Sequence, residues 1–456
     1  MLRLCWCVLV SLAIAWNAGF GDEVAPSSES SPAQRGLWYL LQKQYLARDI
    51  HEQDFADIWK VWPKELRQQA ELATPADRRA MAFLRYGFVE MPGRSAPMGF
   101  VPGADGSWAM NCLACHGGQI EGQPMPGLPN SNFAMQTWAQ DMVAYRVQIQ
   151  HQPRSRFAAS LAVPLSRSNG TTNAQIFSVV FTTLRDSDLN MRQAESRHVP
   201  KMLHHDLDAP PFWNVKKKRM MYIDGYVEKS HRVIMQFVLL PSNKAETIRG
   251  WENDFRDVLA FIESVPSPVY KGRINRPLAE RGRIVFEANC SSCHGTYGVN
   301  GRYPEKTVPI DEIETDRRRL DGMPLAHREF FKQGWMGEEG EVSVVDHPIG
   351  YVAPPLDGIW ASAPYLHNGS VPTLWHLLHP NERPRIWKRT SQGFDHQRIG
   401  LEVTEMESIP AEVDSADERR AFFDASLPGK SAAGHDFPEA LSEDERLMVL
   451  EYLKSL

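Results

Sequence analysis

Apolar residues recur at helical spacing along much of the chain. Between Arg35 and Arg48, the apolar positions Leu37, Leu40 and Leu41 lie on one face of a helix. Few segments show the strict apolar–polar alternation of a half-buried strand. The pattern therefore predicts a mainly α fold with long loops. The other helices that it predicts lie near 55–72, 134–150, 172–185, 229–240, 244–264, 277–289 and 442–456.

The C-terminal helix has the clearest boundaries. Ser442 is placed as its N-cap, and Glu445 completes a capping box three residues later. Leu447, Leu450 and Leu453 then fall on one face. This combination predicts a helix that packs against the rest of the fold.

Breaks in the helical pattern suggest a division into two domains. The helix predicted over 244–264 ends at Pro266-Ser267-Pro268, a sequence typical of a linker. Residues 295–365 show little periodicity and several Gly/Pro turns. We therefore expect an N-terminal domain over 35–268 and a C-terminal domain over 269–456.

The N-terminal segment has the pattern of a secretory signal peptide. Arg3 precedes the apolar run Leu4–Trp16, and Gly19-Phe20-Gly21 offers small residues for cleavage. We expect residues 1–21 to be a signal peptide and residues 22–34 a flexible lead-in, with an uncleaved anchor as the alternative. Export implies a periplasmic or secreted bacterial protein without stable membrane insertion after cleavage.

Composition excludes several classes of protein. Of the 456 residues, 43% are hydrophobic and 23% are charged. These fractions are close to those of ordinary globular proteins and unlike those of collagen-like, low-complexity or multi-span membrane chains. The net charge of −6 gives no basis for binding nucleic acid or an anionic membrane.

The cysteines carry the candidate chemistry. Cys5 and Cys7 lie inside the predicted signal peptide, which leaves four cysteines in the exported chain. These four form two Cys-x-x-Cys-His motifs, Cys112-Leu113-Ala114-Cys115-His116 and Cys290-Ser291-Ser292-Cys293-His294.

The motif predicts covalent haem attachment at both places. Each pair of cysteine sulfurs, Cys112 with Cys115 and Cys290 with Cys293, would form two thioether bonds to a haem. The adjacent histidine, His116 or His294, then binds the iron from below. A thioredoxin-like redox pair and half of a zinc site are the alternatives, and neither explains a histidine after both pairs. We therefore predict two covalently attached haem c groups as iron cofactors.

The sixth ligand of each iron would decide between electron transfer and reaction with a small molecule. His367, in Ala363-Pro364-Tyr365-Leu366-His367-Asn368-Gly369-Ser370, and His435, in Gly434-His435-Asp436-Phe437, both follow the second motif in loops. The residues alone do not choose between these two histidines.

Several stretches of the chain resemble one family, the bacterial di-haem cytochromes c, which includes di-haem cytochrome c peroxidases and rubber oxygenases. The stretches that carry the resemblance are Ala353-Pro354-Pro355-Leu356-Asp357-Gly358-Ile359-Trp360, the segment around His367, Asp208-Ala209-Pro210-Pro211-Phe212-Trp213-Asn214-Val215-Lys216-Lys217-Lys218, and the C-terminal Gly-His-Asp-Phe.

This resemblance implies two cytochrome c-like helical domains, each holding one covalent haem. It implies that His435 is the distal ligand of the second haem, opposite His294. His367 matches a histidine near the haem propionates that does not bind iron. Residues 376–381 lack the Met or Tyr ligand of the peroxidase branch, which favours His435 and leaves His379 as a third candidate.

By the same resemblance, the first haem, on His116, is the open one. Phe212 and Trp213 match an aromatic pair at its distal side or between the two haems, and we predict them as catalytic residues, with core packing as the alternative. Lys216 to Arg219 would neutralise haem propionates or form a solvated basic loop.

The function expected from the sequence is an exported oxidoreductase of the peroxidase or oxygenase type. Its first haem would bind peroxide or dioxygen, and its second would relay electrons to or from a donor or acceptor protein. The alternatives are an electron-transfer cytochrome with both haems six-coordinate and a haem-based redox sensor.

Overall fold

The computed structural model describes residues 25–27, 29–48, 50–152, 165–193, 195, 203 and 205–456. The predicted signal peptide, residues 1–21, lies outside the described residues. The helices of the described chain are α1 (Pro32–Gln42), α2 (Glu52–Asp57), α3 (Lys64–Leu72), α4 (Pro75–Tyr86), α5 (Leu113–His116), α6 (Met135–Gln148), α7 (Ala174–Thr183), α8 (His231–Ile234), α9 (Ala245–Gly250), α10 (Glu252–Ser264), α11 (Arg276–Asn289), α12 (Ser291–His294), α13 (Ile310–Ile313), α14 (Arg318–Asp321), α15 (Leu325–Phe330), α16 (Leu374–Leu378), α17 (Ala416–Arg419) and α18 (Glu443–Leu453).

Short antiparallel sheets lie between these helices. The strands are β1 (Ile50–His51), β2 (Phe100–Pro102), β3 (Ser107–Met110), β4 (Gly117–Ile120), β5 (Gln123–Pro126), β6 (Met220–Met221), β7 (Val227–Glu228), β8 (Thr307–Pro309), β9 (Gly350–Val352), β10 (Ile386–Asp395), β11 (Gly400–Met406) and β12 (Phe422–Asp424). Two sheets have three strands, in the orders β1-β3-β2 and β11-β10-β12. The pairs β4-β5, β6-β7 and β8-β9 form two-stranded sheets.

The strands show that the fold class differs from the predicted one. Helix makes up 42% of the structure and strand 13%, in several sheets, so the prediction of a mainly α fold with two helical cytochrome c-like domains is wrong. Most strands span two to four residues, too few to produce a readable alternation. The longer strands β10 and β11 are rich in polar residues and pair with each other across a register shift between Arg389 and Phe394. The domain boundary near residue 268 stays a prediction.

The predicted helices are present with shifted ends, except that the segment expected near 229–240 is α-helical only over His231–Ile234 and continues as the 3-10 turn Met235–Val238. The helix expected over 55–72 is divided by Pro63, and the helix expected over 244–264 is divided at Trp251. A proline removes a backbone donor and restricts the residue before it, which explains the first break. The capping box of Ser442 and Glu445 at the start of α18 is confirmed.

In two places, a pair of helices that are far apart in the sequence packs closely at a glycine. Helix α1 crosses α10 where a side chain at Gly36 would collide with the backbone of Asp257. Helix α11 crosses α18 where a side chain at Gly282 would collide with the carbonyl of Met448. Each pair therefore brings a segment before a cysteine motif against a segment far after it.

Apolar clusters surround the two motifs. Cys115 packs against a cluster that contains Phe88, Phe133 and Trp138. Cys112 packs against a cluster that contains Phe212 and Trp213. The second motif packs through Cys290 against a separate cluster, with Phe286, Trp360 and Tyr452 among its members. In the described part of the chain, no helix has the length and apolar character needed to cross a bilayer.

Candidate haem centres

Local backbone contacts hold the first motif in a single helical turn. Asn111 begins the turn, since its side-chain oxygen accepts from the backbone N–H of Leu113 at 2.8 Å. Gly99 has φ +89° and lies so close to Ala114 that a side chain there would collide with it. The turn therefore presents Cys112, Cys115 and His116 together.

Both motif histidines are oriented by a proline carbonyl. His116 Nδ1 lies 2.9 Å from the Pro210 carbonyl oxygen, and His294 Nδ1 lies 2.9 Å from that of Pro354. Because a carbonyl oxygen can only accept a hydrogen bond, each Nδ1 carries a hydrogen and each Nε2 keeps its lone pair. Burial lowers the pKa of His116 to about 4 and also lowers the pKa of His294. Both rings are thus neutral near pH 7, the form that binds a metal.

The two accepting carbonyls belong to a repeated element. Pro210 lies in Ala209-Pro210-Pro211 and Pro354 lies in Ala353-Pro354-Pro355. In both, the first proline contacts the motif histidine. Both stretches carry the family resemblance, but the contact of each first proline with a motif histidine was not predicted from the sequence. Their shared Ala-Pro-Pro sequence after each motif was the available signal.

The cysteine thiols do not resemble those of a redox-active pair. Burial raises the pKa of Cys112 to about 11, that of Cys115 to about 12 and that of Cys290 to about 11. Catalytic dithiols have a lowered pKa, because the thiolate is the reactive form. All four cysteines are unpaired. The described residues contain no cluster of three or more His, Cys, Asp or Glu side chains that could hold a metal ion, as a zinc site built from both motifs would require.

The second motif histidine faces another histidine. The ring centres of His294 and His435 are 6.1 Å apart, with an angle of 64° between their planes. An imidazole nitrogen binds a transition metal at about 2 Å and lies roughly 1 Å from its ring centre, so imidazoles on opposite sides of one iron have centres about 6 Å apart. Burial lowers the pKa of His435 to about 3. These two residues fit a haem with two histidine ligands.

The other candidate histidines are placed differently. The ring of His367 packs on Tyr351, with centres 4.5 Å apart. Burial and the nearby Arg319 lower the pKa of His367 to about 3. Both ring nitrogens of His379 are engaged, Nδ1 with the Trp375 carbonyl at 2.8 Å and Nε2 with Glu443 at 3.0 Å. His379 is therefore a structural residue.

Phe212 and Trp213 connect the two motif regions. The Phe212 ring stacks on His116, with centres 4.6 Å apart and planes 26° apart. This contact is with the ring that would bind iron from the cysteine side. Trp213 is only 1% exposed, and its Nε1 donates to the Asp357 carbonyl at 2.6 Å. Asp357 lies close after Pro354, so Trp213 joins the two Ala-Pro-Pro segments.

The basic segment after Trp213 divides into engaged and exposed residues. Lys217 pairs with Asp357 at 2.5 Å. Lys218 donates to the Tyr222 carbonyl at 3.2 Å, and burial lowers its pKa to about 8. Lys216 is exposed. Lys218 is half-buried, and a half-buried cation is stabilised by a carboxylate partner, as a haem propionate would provide.

Comparison with known proteins identifies a cytochrome c-like segment. Residues 350–388 match the sequence model of the family described as RoxA-like, cytochrome c-like. The matched segment contains Pro354, Asp357 and His367. The match supports a c-type cytochrome, and covalently bound haem c is the cofactor of that class.

Two curated relatives come from Sinorhizobium fredii (strain NBRC 101917 / NGR234). The protein named "Uncharacterized protein y4iM" is 26% identical over 257 residues, which cover 50% of this chain and 56% of that protein. "Uncharacterized protein y4iJ" is 37% identical over 123 residues, which cover 25% of this chain and 19% of that protein. The chain thus spans about half of the first relative and about a fifth of the second.

Proposed function

We propose that this chain is an exported di-haem c-type cytochrome that acts as an oxidoreductase. The facing pair of His294 and His435, with ring centres 6.1 Å apart, carries the proposal. The other motif histidine, His116, is stacked on the phenyl ring of Phe212. The two motif histidines thus have different ring neighbours, an imidazole for His294 and a phenyl ring for His116.

In this proposal the second haem relays electrons. Two imidazole ligands give a low-spin iron that exchanges electrons without exchanging ligands. His294 and His435 suit this role because burial keeps both rings neutral. Ser292, which lies between the two attachment cysteines, is exposed, so an electron-donor or acceptor protein would approach the second haem at this turn.

The first haem, held by Cys112, Cys115 and His116, is the reactive one in this proposal. A haem with an open sixth position supplies the site at which a small oxidant, peroxide or dioxygen, would bind. The carbonyl of Pro210 orients His116, and Phe212 fixes the plane of its ring. Trp213 provides a contact along which electrons could pass between the two Ala-Pro-Pro segments.

The proposed location is the bacterial periplasm or the exterior. The signal-peptide pattern of residues 1–21 supports it, and so does the periplasmic attachment of c-type haem in bacteria. A cytochrome in this location needs a redox partner protein, and we include one in the proposal.

Electron paramagnetic resonance of the oxidised holoprotein tests the proposal. We expect one high-spin ferric signal from the first haem and one low-spin signal from the second. Two low-spin signals would instead support an electron-transfer cytochrome with both haems six-coordinate, and would contradict the reactive role of the first haem. Two high-spin signals would contradict the relay role of the second.

A further inference from the structure

The loop that presents His435, residues 432–436, has an unusual backbone. Gly434 has φ +77° and His435 has φ +55°, so two consecutive residues are left-handed. A side chain at Gly434 would collide with the backbone of Glu314, and the His435 N–H donates to the Ile313 carbonyl at 2.7 Å. A left-handed histidine is strained and persists only when its surroundings hold it. The position of the imidazole therefore depends on contacts to this loop.

A single guanidinium makes most of the side-chain contacts to the loop. Arg383 Nη1 donates to the Ala432 carbonyl at 2.7 Å and to the Gly434 carbonyl at 2.6 Å. Its Nη2 donates to the His435 carbonyl at 3.3 Å. Nη1 also lies 3.4 Å from a carboxylate oxygen of Asp436. The Arg383 side chain thus contacts the backbone of Gly434 and of His435 itself.

The other side of the same guanidinium is fixed to α16. Arg383 Nε donates to the His376 carbonyl at 3.2 Å, and Nη2 lies 3.5 Å from that of Leu377. Both carbonyls lie in the last turn of the helix, where they lack helical partners. The Arg383 side chain is only 5% exposed. The planar fork of arginine reaches both sets of carbonyls, which the single ammonium of a lysine does not.

We propose that Arg383 is the positioning residue that fixes the imidazole of His435 opposite His294 and so maintains the ligation of the second haem. The inference rests on the proposed function, because it requires His435 to be an iron ligand. Arg383 acts through the loop backbone, including the His435 carbonyl, and not through the imidazole rings.

The test compares three holoprotein variants with the unchanged protein. Arg383→Lys keeps the charge, Arg383→Met keeps the aliphatic stem, and Arg385→Lys is the matched control, since Arg385 is exposed and two residues away. Electron paramagnetic resonance and visible spectra report the spin state of each haem. We expect the low-spin signal of the second haem to fall at least twofold in both Arg383 variants, and to be unchanged in Arg385→Lys.

Added imidazole separates positioning from general stability. If only the ligand is displaced, imidazole should restore the low-spin spectrum of the Arg383 variants, while circular dichroism and the first haem stay as in the unchanged protein. An unchanged low-spin signal in both variants would overturn the proposal. So would loss of both haem spectra together without rescue. Absence of a low-spin haem in the unchanged protein would instead refute the proposed function.

Discussion

The histidines that the structure describes differ in how many ring nitrogens are already engaged. His379 has both nitrogens engaged, and so does His376, with Thr373 at 2.7 Å and Glu405 at 3.3 Å. His116 and His294 each use Nδ1 for a proline carbonyl, which leaves Nε2 for a metal. His116 and His294 therefore differ from His376 and His379 in having a free Nε2 on an oriented, neutral ring, which is the form that binds a metal.

His435 is the residue whose removal should change the second haem. We expect His435→Ala to convert that haem from low spin to high spin, because the described structure places no other imidazole opposite His294 at ligand distance. His367→Ala is the control, since its ring packs on Tyr351, and it should leave the spin state unchanged. Visible and electron paramagnetic resonance spectra of both variants provide the measurement. A spin change in His367→Ala alone would reverse the assignment.

Trp213 is expected to influence reactivity as well as packing. Trp213→Phe keeps most of the apolar contact but loses the indole N–H that donates to the Asp357 carbonyl. It also replaces the indole with a phenyl ring, which is harder to oxidise. We expect the reaction of the reduced protein with peroxide or dioxygen to slow at least tenfold, about 1.4 kcal/mol in barrier. Stopped-flow absorption measures the rate.

A thermal melt of the same sample supplies the control for Trp213. If the indole only packs and donates one hydrogen bond, the variant should lose about 1–3 kcal/mol of stability with an unchanged rate per folded molecule. That result would assign Trp213 to the core and leave no catalytic role for it.

At the scale of elements, the close crossings of helices depend on glycine. Gly282 in α11 lies against the backbone of Met448 in α18, so no side chain fits without moving one of the helices. Gly250, the last residue of α9, has open space where a Cβ would lie. Replacement of glycine by alanine can thus be compared at a crowded position, Gly282, and at an open one, Gly250.

We expect Gly282→Ala to destabilise the protein by about 1–3 kcal/mol or more, since overpacking forces a backbone shift. Gly250→Ala should be neutral or should stabilise by about 0.4–1 kcal/mol through the unfolded state. Urea unfolding of the two holoprotein variants measures both. Equal effects at the two positions would argue against a close crossing of α11 and α18.

Across the whole molecule, the two motif regions are tied together. Trp213 and Lys217 both contact Asp357, which lies in the cytochrome c-like segment 350–388. Residues Phe331 and Trp335, far beyond residue 268, pack in one cluster with Tyr226 and Phe255. The halves of the chain are therefore interlocked by side-chain contacts, and electrons would have a packed route between the motifs.

The haem content of the whole molecule follows from the two motifs. Protein matured with a c-type haem system should retain two haems after denaturation, seen as mass or as haem stain on a denaturing gel. Replacing Cys112 and Cys115 by Ala should leave one haem, and replacing Cys290 and Cys293 by Ala should also leave one. A protein that carries a single haem, removed entirely by one of the two double substitutions, would contradict the di-haem proposal.

Local features were readable from the sequence because they involve neighbouring residues. The two Cys-x-x-Cys-His motifs each lie within one helical turn, so covalent spacing alone predicts the cofactor chemistry. The capping box of Ser442 and Glu445 is local in the same sense. The division near residue 268 was also inferred locally, from prolines, and stays a prediction.

The tertiary structure alone decided how distant segments meet. Short strands such as β6 and β7 gain their hydrogen bonds from a partner, and two residues carry no readable period. The choice among His367, His379 and His435 depends on which ring reaches His294, and spacing along the chain does not encode that. A motif that lies within one helical turn can be recognised from the sequence, whereas the position of His435 opposite His294 is decided by packing and by backbone strain in a loop far along the chain.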